Sequence, residues 1–241
     1  MRLKLLSLLA ILFFLAGVLW QLFLSGGILW AEVEAGVYGS QINAGGLNLN
    51  CPLVLSPSES GTVTATITNR LDEPAAPLIT AEVSSAGGMQ RLGTPLALAP
   101  HETRIVQWPV NDSDLVFGRL ILVNVIQGRY GDLDPGHGYC GILVFNLFHL
   151  NGIHSLVAIM IGSIVLVSAG GILWRLIHAP FDEPANQTFK ACEGLAGVTT
   201  LALLTALPRW WGLTLPLDAF ALIMLSVIFT EFLLFPKSDK S

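Results

Sequence analysis

Four aspartates stand in pairs that could hold a hard cation. Asn111-Asp112-Ser113-Asp114 and Asp132-Leu133-Asp134-Pro135-Gly136 place side-chain oxygens at alternate positions, as calcium loops often do. Neither run has the full loop pattern with its terminal bidentate acid. Aspartate and asparagine also favour turns for local reasons. Asp112, Asp114, Asp132 and Asp134 are therefore read as turn residues and calcium candidates, and no metal is expected. His137 stands three residues before Cys140, and Cys51 could add a third ligand. Zinc sites need three or four such ligands at tight spacing, and the Gly136-His137-Gly138 setting reads instead as an exposed turn.

The three cysteines divide by position. Cys51 and Cys140 lie at the two ends of a strand-rich segment, and Cys192 lies beside an apolar run. A paired set in one compartment and a lone thiol in another fits the usual redox separation. A Cys51–Cys140 disulfide is expected, with two buried free thiols as its alternative. Cys192 reads as a small apolar residue at a helix start. A bis-histidine haem finds no ligand pair, because His154 and His178 fall at opposite ends of one apolar run. His149 and His154 flank the start of that run, as interfacial side chains do. No nucleophile elbow, phosphate loop, dinucleotide glycine pattern or zinc-protease helix is present, and no cofactor is expected.

Acids within apolar runs are functional candidates by default. Glu193 and Asp218 fall at the expected edges of such runs, where water is close. Glu231 falls inside one, at the depth where Arg175 stands on another, and an intramembrane Arg175–Glu231 ion pair is expected to fix the helices together. The middles of the runs read as Leu, Val, Ile, Ala and Gly.

The elements that carry these residues follow from hydropathy. Hydrophobic residues make up 53% of the 241 and charged ones 12%, against about 25% charged in a soluble domain. The net charge of −5 and the lack of a basic cluster exclude a nucleic-acid surface. Apolar runs at about 5–24, 153–177, 194–207 and 217–235 approach or reach the roughly 20 residues a bilayer core requires. Residues 1–30 read as an N-terminal anchor, with a signal peptide cleaved near Val33-Glu34-Ala35 as the alternative. Residues 151–178 read as a second span, 179–191 as a cytoplasmic loop, 192–235 as a transmembrane hairpin and 236–241 as a cytoplasmic tail. Arg2, Lys4, Arg175, Lys190, Lys237 and Lys240 all fall on one side if both termini are cytoplasmic, as the positive-inside rule requires. Trp30, Trp174, Trp210 and Trp211 near the span ends agree with that placement. Residues 31–150 then lie outside, in a chain located in the cell membrane.

That outer segment carries strand signals. Thr62 to Thr68 alternates polar and apolar residues, which sorts them onto two faces of a strand. Asn69 to Pro74 reads as a turn, Leu78 to Val83 as a strand, Gly87-Gly88 as a turn and Thr103 to Trp108 as a strand. Gly118 to Gln127 is the longest strand, with Leu120, Leu122 and Val123 expected to feed the core, and Cys140 to Phe145 closes the set. Gly36 to Gly46 reads as a linker. The fold class expected is an α+β membrane protein, an exported all-β sandwich joined to four transmembrane helices. The threonine-rich strand ending in Asn69, and Leu98-Ala99-Pro100-His101-Glu102 before a strand ending near Val110, resemble the immunoglobulin-like sandwich modules of bacterial surface proteins. The resemblance covers about residues 48–146. It implies a fold and no activity, since such modules host many functions.

The functional expectation is a non-catalytic module: an accessory or scaffolding subunit of a cell-envelope assembly, with the bilayer and a membrane protein as partners. The alternatives are a stand-alone surface protein binding a glycan or protein, and a membrane enzyme or transporter subunit. Polar residues converging inside the helices would promote the last.

Overall fold

The computed structural model describes residues 2–38, 47–147, 150–178 and 183–230. It is an α+β chain that divides into two compact units, Met1–Leu29 with Val157–Ser241, and Trp30–Leu156. Four helices, α1 (Arg2–Tyr38), α2 (Gly152–His178), α3 (Glu183–Ala206) and α4 (Trp211–Ile228), and eight strands make up the regular structure of the described residues.

The strands form two sheets. One has the order β1 (Asn48–Asn50), β3 (Gly61–Thr68), β6 (Thr103–Val110), and the other the order β2 (Val54–Leu55), β8 (Gly136–Val144), β7 (Leu120–Gln127), β4 (Leu78–Ser85), β5 (Gly88–Pro95). Val63, Ala65 and Ile67 of β3 and Trp108 and Val110 of β6 share one core with Ile79, Ala81 and Val83 of β4, Ile121, Val123 and Val125 of β7, and Cys140 and Ile142 of β8. Thus the two sheets face each other in a sandwich-like arrangement. The alternation read in Thr62 to Thr68 is the cause on the β3 side: its valine, alanine and isoleucine are buried while Thr62, Thr66 and Thr68 face out. Thr68 meets Thr103 across the pair, with hydroxyls 3.0 Å apart.

Two strand readings need correction. Leu120 and Leu122 are buried but do not feed the intersheet core. That face is filled by Ile121, Val123 and Val125, and strand parity puts Leu120 and Leu122 on the other face. The Gly87-Gly88 turn is present, with Gly87 in it and Gly88 closing it opposite Ser85, but the strand it leads into, β5, was not read; it pairs with β4 along its whole length.

The first helix also exceeds its expected bounds. α1 runs to Tyr38, so Val33-Glu34-Ala35 lies within a helix, and so does the first part of the glycine-rich stretch read as a linker; residues 39–46 lie outside the described residues. In the sandwich unit the last turns of α1 lie on the second face of the five-stranded sheet. A Cβ added at Gly141 would stand 1.9 Å from the Ala31 carbonyl oxygen, and one at Gly36 would meet the Tyr139 ring at 3.2 Å. Arg119 sits over the Trp30 ring at 5.9 Å. This cover explains why β7 is buried on both faces, and why its sequence is an almost continuous apolar run.

Asn69 organises the turn after β3. Its Nδ2 donates to the carbonyls of Glu73 (2.8 Å) and Ala99 (2.9 Å), and its Oδ1 accepts from the Leu71 N–H (3.1 Å). The residue is fully buried. An Asn69→Ala variant leaves the Glu73 carbonyl and the Leu71 N–H without this partner, while the Ala99 carbonyl still accepts from the Glu102 N–H at 3.1 Å, and should lose about 1–3 kcal/mol of stability, read as a shift of the denaturant midpoint at constant slope.

In the helical unit, α1 and α2 meet through glycines. A Cβ at Gly17 would stand 2.7 Å from the Ser163 carbonyl oxygen, and one at Gly170 would stand 2.7 Å from Phe14 N. Small residues let helix backbones approach this closely. Val18, Leu195 and Ala221 join α1, α3 and α4 in a buried cluster. Much of the outward surface is apolar, including Phe23, Ile161, Val165, Leu201 and Phe220. The third and fourth helices start earlier than their apolar runs. Glu183 opens α3, with Pro184 in its first turn, where a missing N–H is harmless. Trp211 opens α4 with Pro216 inside it.

Candidate functional site

The sequence-predicted residues do not gather into one site. The Asp114 carboxylate accepts from the Asn111 N–H at 2.9 Å, and Asn111 Oδ1 accepts from the Ser113 N–H at 2.8 Å, a reciprocal cap on the short 3-10 turn at Asp112–Asp114. Asp132 and Asp134 are exposed between β7 and β8, and the Asp134 carbonyl accepts from Gln127 Nε2 at 3.2 Å. Among the described residues no three His, Cys, Asp or Glu side chains converge as a metal-binding group. The aspartates act in turns.

Cys51 and Cys140 form a disulfide with a Cα–Cα separation of 6.6 Å. Cys51 follows β1 of the three-stranded sheet and Cys140 lies in β8 of the five-stranded one, so the bond crosses between sheets. Cys192, the remaining thiol, lies well inside α3 and not at a helix start. Glu231 lies outside the described residues, and with it the expected ion pair. Arg175 stands 5.9 Å from the Phe189 ring.

His137 is a correction. It was expected in an exposed turn, but it lies in β8, only 4% exposed, and neither ring nitrogen has a hydrogen-bond partner. Three residues along a strand reverse the face, so His137 points away from Cys140 and could not share a metal with it. On the same face, Glu82, Asn124 and Tyr139 form a cross-strand row. Asn124 Nδ2 donates to Glu82 at 3.1 Å and Arg91 Nε donates to the same carboxylate at 2.7 Å, while Asn124 Oδ1 stays unpartnered. Burial holds the His137 pKa below its ordinary 6.5, opposed by the negative charge of Glu82. The imidazole is neutral in both folded and unfolded chains above about 6.5, and full stability is present there. As pH falls below that value the unfolded chain takes the proton first, so stability is lost on acidification. A His137→Phe variant should flatten this slope in unfolding experiments between pH 7 and pH 5.

The helical unit holds a second polar group of residues, which composition did not reveal. Thr199 Oγ1 donates to Gln21 Oε1 at 2.6 Å, and Ser25 Oγ donates to Asp218 Oδ1 at 2.8 Å. Thr214 Oγ1 donates to Thr205 Oγ1 at 3.1 Å. All six are buried. Three rungs thus link α1 to α3, α1 to α4 and α3 to α4. Asp218 was expected at a span edge. It stands two turns inside α4, because the helix starts at Trp211 and not after Pro216. Gln21 Nε2 and Asp218 Oδ2 have no hydrogen-bond partner. The sequence signal was available in the four-residue spacings of Gln21 with Ser25 and of Thr214 with Asp218, which set each pair on one helix face.

No family model matches the chain, and no curated protein matches it. Solved structures align with part of the chain. The CARDB domain of a Pyrococcus furiosus protein, in complex with di-metal ions, aligns at 12% identity over 43% of this chain and 90% of that one, with a TM-score of 0.33. A β-glucosidase from Listeria innocua aligns at 17% identity over 42% of this chain and 16% of that one, with a TM-score of 0.32. The alkylpurine DNA glycosylase AlkC of Pseudomonas fluorescens, bound to DNA, aligns at 12% identity over 43% and 30%, with a TM-score of 0.30. These likenesses are of fold only.

Proposed function

We propose that the chain is a multi-pass membrane protein that presents its sandwich unit outside the cytoplasm, as a non-catalytic accessory or scaffolding subunit of a cell-envelope assembly. The carrying observation is the four helices of at least 18 residues whose windows of mean hydropathy run from 1.2 to 2.5. One such helix would tether a domain, so four argue for work within the bilayer, such as binding another membrane protein. The Cys51–Cys140 disulfide supports an oxidising location for the sandwich, and the segregated lysines support cytoplasmic termini. The test is brief cross-linking in cells, mild detergent extraction and mass spectrometry of what co-purifies. A stoichiometric membrane protein is the expected result. Recovery of the chain alone from cells that express it well overturns the subunit reading and favours a stand-alone surface binding protein.

A second reading, a transporter or membrane-enzyme subunit, is favoured by the rungs at Gln21, Ser25, Thr199 and Asp218. An intramembrane carboxylate with an unpartnered oxygen is uncommon in a helix that only anchors. The two readings separate on Asp218→Asn: a scaffold keeps both its assembly and the assembly's activity, whereas the second reading requires that the assembly form and its activity fall.

A further inference from the structure

The helical unit contains a cavity of about 560 Å³ bordered by all four helices. Its walls are mainly apolar, with Phe14 and Leu15 from α1, Ile172 from α2 and Leu195 from α3 among them. Its charged groups, Arg175 and Glu193, come from the C-terminal end of α2 and the N-terminal half of α3. We propose that this cavity binds one acyl chain of an anionic phospholipid, with the lipid phosphate against the Arg175 guanidinium. The proposal rests on the membrane reading above.

Size, polarity and charge argue together for that occupant. The volume falls within the roughly 300–1,000 Å³ of ordinary ligand sites. An empty apolar space of this size would forfeit dispersion contacts along its whole lining, and in a bilayer the material at hand to fill it is a hydrocarbon chain. A guanidinium at one end of an apolar slot matches an amphipath with a negative head, because its planar fork donates two parallel hydrogen bonds to a phosphate. The nearby Phe189 ring and the Trp174 ring stacked on His178 at 4.2 Å supply the aromatic setting common at headgroup depth. Glu193 is exposed and disfavours a second anionic group on its side of the opening.

Two neighbouring glycines make the proposal sharp. Gly171 lines the cavity and a Cβ there meets nothing within 4 Å, whereas a Cβ at Gly170 would stand 2.7 Å from Phe14 N and 2.8 Å from the Ala10 carbonyl oxygen. A side chain added at Gly171 therefore starts into open space at the cavity wall, whereas one at Gly170 would strike the α1 backbone. Cys192 also lines the cavity and is the chain's free thiol, so a maleimide reports on occupancy.

The experiment uses the full chain in detergent, offered phosphatidylglycerol or phosphatidylcholine, with retained lipid read by native mass spectrometry and Cys192 labelling followed in parallel. Wild type should retain phosphatidylglycerol about fivefold better than phosphatidylcholine, because both carry the phosphate but only the choline head sets a second positive charge beside the Arg175 guanidinium, and phosphatidylglycerol should slow labelling of Cys192. Gly171→Phe should retain neither while keeping the wild-type melting temperature. Arg175→Gln should bind both lipids equally. Equal retention of the two lipids by wild type overturns the proposal, as does a Gly171→Phe chain that still holds phosphatidylglycerol. Labelling of Cys192 that phosphatidylglycerol leaves unchanged also overturns it. Flotation of the wild-type chain with liposomes separates the two levels: a chain that floats but retains no lipid loses only this site, and one that does not float loses the membrane reading itself.

Discussion

A Cys51→Ala, Cys140→Ala chain should lose about 4–5 kcal/mol of stability in the sandwich unit, the loop-closure estimate for a cross-link of this span. The two cysteines are 89 residues apart in sequence, so the bond removes a large share of the conformations open to the unfolded segment. It also joins the sheets on one side of their shared core, where Cys140 is buried and Cys51 packs partly buried against it. Alanine is the better replacement, because serine would place new hydroxyls in that core. The measurement is equilibrium unfolding with and without reductant. Wild type under reductant should move toward the variant, and the variant should not respond. A loss below about 1 kcal/mol would mean that residual structure in the unfolded chain already holds these ends together.

Gly141→Ala should be the most damaging single methyl in the sandwich unit, at about 3 kcal/mol or more. The new carbon would sit 1.9 Å from the Ala31 carbonyl oxygen, 2.1 Å from its carbon and 2.8 Å from its Cα. All three are backbone atoms of α1, which cannot swing aside as a side-chain tip can. The expected outcome is that the helix segment Trp30–Tyr38 lifts from β8, exposing Leu120 and Leu122. Hydrogen exchange should show amides of β7 and β8 losing protection with those of the segment. Gly87→Ala is the control: a Cβ there meets nothing within 4 Å, so the change should be neutral or slightly stabilising.

What could be read from the sequence depended on whether a residue's two neighbours on a face were alike in polarity. Thr62 to Thr68 was legible because one side of β3 is solvated and the other is core, so threonine and aliphatic residues alternate. The disulfide was legible because two cysteines in one segment allow one pairing. β7 was recognisable as a strand, but its parity was not, because α1 buries the face that alternation would have marked as polar. Asp218 was misplaced because the fourth apolar run was read from about 217, whereas the helix that carries it begins at Trp211. The rungs at Gln21 and Ser25 went unread because single polar residues in an apolar run average away in a hydropathy window, while their four-residue spacing survives. Glycines marked close approach only in part: Gly17 and Gly170 have backbone against them, whereas Gly171 and Gly197 have nothing within 4 Å.

β5 is the longest of the three strands, with β1 and β2, that went unread in the sequence, and the reason carries a consequence for self-association. None of its eight residues is buried, so Gly88 to Pro95 has no core face to mark with alternating apolar residues. It is the edge of its sheet, and only β4 pairs with it among the described strands. Its outer row of N–H and C=O groups is a template onto which another extended chain could add. The strand carries the features that discourage such addition: the charge of Arg91, a glycine at Gly93 and a proline closing it at Pro95. The colloidal behaviour of the sandwich at high concentration is therefore set more by these few exposed residues than by anything in its interior.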